Sequence, residues 1–155
     1  MTGSTAVTEL LQPQRTGIPL PTPTPVSAPF WAGCADGELR YQRCAACGEA
    51  AFDPAWACRA CGSGRLEWQV GAGLGVVATH TVVHRPQSPA FTVPYAVVIV
   101  AFDEGYRMLT NLIGCRPDDV RTGLRVRVTF HDVGGGFRLP YVEPVTRDEG
   151  GAIDG

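Results

Sequence analysis

The chain has 155 residues, 45% of them hydrophobic and 18% charged, with a net charge of −2. That length fits one ordinary domain, or a small module fused to a compact second unit, and the charge balance gives little electrostatic drive toward a phosphate backbone. All 13 basic residues are arginine, which excludes chemistry that needs an internal lysine: Schiff-base formation, pyridoxal-phosphate anchoring and a Walker-type phosphate loop. No apolar run approaches the roughly 20 residues that span a bilayer. The opening MTGSTAVTEL lacks the basic start and apolar stretch of a signal peptide. The expectation is therefore a cytoplasmic protein without membrane contact, whose six cysteines act as ligands or free thiols rather than disulfides.

Residues 1–27 read as a disordered or extended arm, because prolines at 19, 21, 23 and 25 forbid helix and sheet pairing. Residues 28–69 hold a short helix and a cysteine module. The helix begins near Ala28 and ends at Gly37, where glycine suits a left-handed cap; its Phe30 and Trp31 need a surface to cover. Alternating stretches at 39–44 and 66–70 read as strands leading into and out of the module. Residues 70–147 read as all-β. One long strand covers 74–84, a nearly continuous apolar run covers 95–102, and a turn at Asp103 to Tyr106 leads into a strand at 107–113. Pro117 and Gly123 bracket a helical turn. Residues 124–131 alternate so that Leu124, Val126, Val128 and Phe130 face a core, and a glycine hairpin leads to a last strand at 137–143. Five strands with a helical turn between the third and fourth is the element order of an OB-fold barrel. Residues 148–155 read as a disordered tail.

The cysteine pattern is the sharpest chemical signal. Cys44-Ala-Ala-Cys47-Gly and Cys58-Arg-Ala-Cys61-Gly are separated by ten residues between the inner cysteines. Two residues between paired cysteines let a tight turn aim both sulfurs at one ion, and Gly48 and Gly62 tolerate the positive φ that such turns need. Two such knuckles form a closed four-thiolate site with no open position for substrate, which marks a structural metal. Zinc is the expected ion; iron is the competing one. Cys34 and Cys115 have no spacing partner and read as small apolar residues.

Acid–base chemistry has few candidates. His80 and His84 lie four apart in one predicted strand, and His131 stands alone. No Ser-His-Asp order, zinc-protease helix motif or phosphate-binding glycine loop is present, and no catalytic residue is assigned. The loop carrying Phe91, Pro94 and Tyr95 forms either a stiff apolar lip at the barrel mouth or a solvated connection.

Taken together, Phe30-Trp31, residues 37–44, both knuckles, Leu66-Glu-Trp68, Thr81 to Pro86, Pro94-Tyr95, Asn111 to Cys115 and Pro117 to Val120 resemble the acyl-CoA-associated OB-fold family with an N-terminal rubredoxin-like zinc ribbon. The resemblance runs in order from about Ala28 to Pro144. It implies a non-catalytic accessory subunit of a thiolase-like, lipid-transfer-type enzyme, in which the partner carries the catalytic residues. It further implies a heterotetramer that cleaves acyl-CoA thioesters, such as steroid side-chain intermediates, by retro-aldol or thiolytic chemistry. Phe30, Trp31, His84, Phe91, Pro94 and Tyr95 are then candidates for the acyl-CoA channel wall or the partner interface. A single-stranded nucleic-acid binder and a stand-alone acyl-CoA enzyme are the alternatives. The first needs a basic groove, for which only Arg125 and Arg127 on one strand face offer a start.

Overall fold

The computed structural model describes residues 9–146, so the first eight residues and those from 147 onward lie outside the description. Within it stand helix α1 (Ala28–Ala35), a ribbon of β1 (Arg40–Cys44), β2 (Ala50–Ala51) and β3 (Leu66–Val70), and a barrel. The barrel comprises β4 (Leu74–Val83), β5 (Tyr95–Phe102), β6 (Arg107–Leu112), β7 (Arg125–Gly134) and β8 (Phe137–Pro144). The strand order β4-β5-β6-β8-β7 is closed, with a 3-10 turn at Pro117–Asp119 between β6 and β7. The expected architecture is therefore the one observed: mainly β, with a short helix and zinc ribbon ahead of an OB-fold barrel.

Closure follows from the strand patterns. β5 is buried at alternate positions and half-buried between them along most of its length, because it is paired to both β4 and β6. In β7, Val126 is fully buried while Val128 and Phe130, with Leu124 just ahead of the strand, pack partly against the same core. The barrel closes through the parallel contact of Leu112 with Val142 and the short pairing of β4 with β7. Gly75 sits where β4 is flanked by β5 and β7. A Cβ there would lie 2.5 Å from the Ala101 carbonyl oxygen and 2.8 Å from Val100 Cγ1. Gly75→Ala is therefore expected to cost about 1–3 kcal/mol of stability in urea unfolding, as overpacking does in a closed core. An unchanged unfolding midpoint would mean that the strands part more easily than this pairing implies.

The helix is fixed from two sides. Arg40 of the ribbon donates to the Pro29 carbonyl at 3.1 Å and pairs with Glu38 at 2.8 Å. Arg138 of the barrel donates to the Ala35 carbonyl at 3.2 Å, a cation at the helix C-terminus where the helix dipole favours it. Gly37, at φ +77°, ends the helix as expected. The ribbon meets the barrel through a ladder of rings. Tyr41 stacks on Tyr106 at 4.7 Å, and Tyr106 stacks on Phe102 at 5.0 Å. At the same seam Arg43 donates to the Glu104 carbonyl at 3.2 Å. Burial, and then the charge of Glu104, push the Tyr106 hydroxyl well above the ordinary tyrosine range.

The described part of the arm, residues 9–27, forms no helix or strand, and its start lies on the barrel. Leu11, 3% exposed, exchanges backbone hydrogen bonds with residues 114 and 115, at 2.9 and 2.8 Å. The buried Gln14 closes a two-bond amide pair with the Thr92 backbone, at 2.8 and 3.1 Å, and its own N–H donates to the Tyr141 hydroxyl at 3.1 Å. Without a helix or strand to pair them, the backbone groups of Leu11 and Gln14 are satisfied by a barrel edge and a side chain instead.

Candidate functional site

The two knuckles are near copies of each other. The Gly48 N–H donates to the Cys44 carbonyl and the Gly62 N–H to the Cys58 carbonyl, both at 2.8 Å. These glycines have φ +84° and +80°, a region costly for any residue with a Cβ. The turns bring Cys44, Cys47, Cys58 and Cys61 together, with all four sulfurs within 4.8 Å of one another. Cys44 to Cys61 and Cys47 to Cys58 are each 3.6 Å. A tetrahedral zinc with Zn–S bonds near 2.3 Å sets its sulfurs about 3.8 Å apart, so the cluster fits that ion. The Ala60 N–H donates to the Cys58 sulfur at 3.3 Å. Donation from the Cys47 N–H, outweighing burial, holds the Cys44 thiol down to about 6, whereas, against donation from the Glu49 N–H, burial and the neighbouring sulfurs push Cys47 up to about 12; the support for a metal is therefore the geometry of the four sulfurs. At Cys34, burial pushes the thiol up to about 12. Burial also raises Cys115, so neither reads as a nucleophile.

The second feature is a cavity of about 450 Å³ where arm, helix, ribbon, loop and barrel meet. Of the residues proposed for a channel or interface, Phe30, Trp31, Phe91 and Tyr95 line it together. His84 and Pro94 are exposed and do not. Phe30 is 5% exposed, packed edge-on against Trp31 at 4.9 Å and Phe52 at 5.1 Å. Trp31 in turn meets Phe137 of the barrel at 6.1 Å. The aromatic pair thus covers surface within its own chain, because Phe52 extends the ribbon's small area and β8 supplies the rest. Met108, Leu139, Tyr141 and Gln14 complete much of the wall. Nothing local in the sequence points to them, since they come from three separate segments.

The histidines are not gathered. β4 ends at Val83, so His84 falls just past the strand, and both His80 and His84 are exposed. His131 lies beside Thr129 Oγ1 at 2.9 Å and edge-on to Tyr141. Arg125 and Arg127, the start of a basic face in the sequence, are each paired with a carboxylate. Arg125 is held bidentate by Asp103 at 2.7 and 2.8 Å, which pulls that carboxyl below its usual range. Arg127 pairs with Glu143 at 3.8 Å. Large exposed apolar side chains remain at Trp56, 73% exposed between the knuckles, and at Leu109, 67% exposed on the cavity rim. Among the described residues, no helix is long and apolar enough to cross a membrane.

Comparison with known proteins agrees with this arrangement. Two consecutive family models match: the ChsH2 rubredoxin-like zinc ribbon domain over residues 31–67 and the ChsH2 C-terminal OB-fold domain over residues 68–131. A probable enoyl-CoA hydratase alpha subunit of Thermomonospora curvata is 36% identical over 77% of this chain and 38% of its own length. The 3-oxo-4,17-pregnadiene-20-carboxyl-CoA hydratase alpha subunit of Mycobacterium tuberculosis is 38% identical over 66% of this chain and 33% of its own. The chain thus spans little more than a third of the length of these two relatives. A DUF35 domain-containing scaffold protein of Methanothermobacter thermautotrophicus is 30% identical, over 61% of this chain and 73% of its own length. Among solved structures, a chain of the Ltp2-ChsH2(DUF35) aldolase aligns with a TM-score of 0.76 and 33% identity, over 82% of this chain and 100% of that one. A DUF35-family protein from Sulfolobus solfataricus, at 15% identity and a TM-score of 0.56, shares the fold. With its paired cysteine knuckles followed by a closed five-stranded barrel, the chain belongs to the ChsH2 (DUF35) family of zinc-ribbon and OB-fold proteins.

Proposed function

We propose that this chain is the non-catalytic accessory subunit of a thiolase-like, lipid-transfer-type enzyme, and that it helps to form the channel for an acyl-CoA substrate. One observation carries the reading. Among the described residues, the apolar cavity is lined without a histidine, cysteine, carboxylate or arginine, so the hydroxyls of Ser27, Tyr95, Thr110 and Tyr141 have no base beside them in the wall, while thioester cleavage needs an activated nucleophile or a general base within hydrogen-bond reach of the substrate. The chemistry therefore falls to another protein. Support for the partner's class comes from the alignment over the whole length of a chain of an Ltp2-ChsH2(DUF35) aldolase and from the acyl-CoA named in the hydratase relatives.

In this reading Cys44, Cys47, Cys58 and Cys61 hold one structural zinc ion, which supplies a cross-link and no reaction step. The ribbon, tied to α1 by Arg40 and to the barrel by the Tyr41–Tyr106 stack, sets the angle at which the aromatic segment and the exposed Trp56 meet the partner. Large exposed aromatics of this kind are common binding anchors. A heterotetramer with two copies of each subunit is the assembly proposed, since thiolase-fold enzymes are dimers.

Co-expression with a lipid-transfer-type thiolase homologue should give a stable heteromer in size-exclusion chromatography with light scattering. The complex should cleave a β-hydroxyacyl-CoA that the isolated chain leaves untouched. Separate migration of the two proteins at micromolar concentration, or turnover by this chain alone, would overturn the proposal.

A further inference from the structure

We infer that residues 12–26 form a lid over the cavity, and that Gln14 is the positioning residue that latches this lid to the loop at the cavity mouth. The inference goes beyond the accessory role and does not rest on it, since every contact it uses lies within this chain.

The segment is held at both ends. Leu11 shares two backbone hydrogen bonds with residues 114 and 115, and α1 is fixed by Arg40 and Arg138. Between these ends the buried residues are Gln14 and Ile18, and both line the cavity. Leu20 crosses the turn between β7 and β8, so close to Gly135 that a Cβ there would lie 2.6 Å from its Cδ1. The Gln14 amide is the polar fastening. Its Oε1 accepts from the Thr92 N–H at 2.8 Å and its Nε2 donates to the Thr92 carbonyl at 3.1 Å. The Gln14 N–H donates to the Tyr141 hydroxyl at 3.1 Å. A buried amide is costly unless it is bonded, so this side chain favours the state in which arm and loop lie together. Phe91 and Tyr95, which bracket Thr92, belong to the same wall, so one amide pair fixes two parts of that wall at once. When the segment lifts, water replaces each lost partner. β5, by contrast, is bonded along both edges. The lid therefore opens at lower cost than the barrel. Gly17, exposed and at φ +106°, gives the segment a place to bend.

Opening can be read locally. The sequence contains only two methionines, Met1 and Met108; Met108 lines the cavity and is 2% exposed. The zinc-loaded full chain is compared with Gln14→Leu, which keeps the volume but not the amide, and with Ile18→Ala, which keeps the amide but loosens the apolar anchor. The readouts are hydrogen exchange of backbone amides, trypsin cleavage after Arg15, and relaxation of the ¹³C-labelled Met108 methyl by a neutral nitroxide in solution. In both variants the Thr92 amide should exchange at least about tenfold faster. Cleavage after Arg15 and relaxation of Met108 should rise with it, while amides of β5 and of the ribbon keep their rates. The effect of Ile18→Ala on Thr92 is the signature of a lid that moves as a unit, since that variant leaves the Gln14 amide in place. If Gln14→Leu fails to fold, Ile18→Ala decides. The inference is overturned by Thr92 exchange that is unchanged in the folded variants, or by faster exchange spread equally through β5. It is also overturned by a Met108 methyl that relaxes no faster once Thr92 is released.

Discussion

Cys58→Ser is expected to empty the metal centre and unfold the ribbon that spans β1 to β3. The ribbon has little core of its own: β2 is two residues long and neither of its positions is fully buried. Its order depends on four sulfurs held within 4.8 Å, which as bare thiols gain little from that proximity. A structural zinc contributes on the order of 10–16 kcal/mol of apparent binding energy at neutral pH, far more than a module of this size gains from burial. Serine keeps the backbone N–H that closes the second knuckle onto the Ser63 carbonyl at 2.7 Å, so Cys58→Ser removes the sulfur ligand alone. Metal analysis should fall from one zinc per chain toward none, and amide signals from the ribbon should collapse to unfolded positions. Full metal content in the variant would show that these cysteines are not the ligand set. Because metal binding displaces thiol protons, acidification of the unaltered protein should release zinc and melt the ribbon in the same way.

Phe30→Ala is expected to cost about 3–5 kcal/mol, the range for deleting a buried aromatic ring, a large fraction of the stability of a domain this size. The ring is 5% exposed and touches Trp31 and Phe52, so its removal hollows the junction of helix, ribbon and cavity. Urea unfolding of the zinc-loaded chain measures the loss, and Phe30→Leu should recover most of it because it restores volume. A loss below about 1 kcal/mol would mean that Phe30 is a surface anchor rather than a core residue. The distinction bears on function. A core role makes Phe30 the pivot that positions Trp31 and the cavity wall, whereas an exposed anchor would act only upon docking.

The four-cysteine cluster, the strands and the barrel order are readable in the sequence because each is encoded locally. The spacing of Cys44 and Cys47, repeated at Cys58 and Cys61 with glycine after each pair, is a turn geometry written into a short stretch of neighbours. The alternation at 124–131 and the apolar run at 95–102 report burial by period alone. β2 is not legible in this way, because two residues carry no period. The pairing of Arg125 with Asp103 is not legible either, since 22 residues separate them. That contact offsets the charge of one of the two arginines on which a basic face would rest.

The arm and the cavity are decided elsewhere. Composition marks the arm as extended, yet Gln14 finds its partners 78 and 127 residues away, a placement that only the closed barrel makes available. Phe30 and Trp31 announce a need for cover; the packed structure chooses Phe52 and Phe137 to supply it. The cavity wall draws on Gln14, Phe91, Met108 and Tyr141, from segments with no shared pattern. The sequence by itself determined which four cysteines gather into a metal-competent cluster and which faces of the strands turn inward, because those are properties of neighbouring residues. Tertiary structure alone decided which residues line the cavity, because that depends on contacts between distant segments whose geometry no local spacing records.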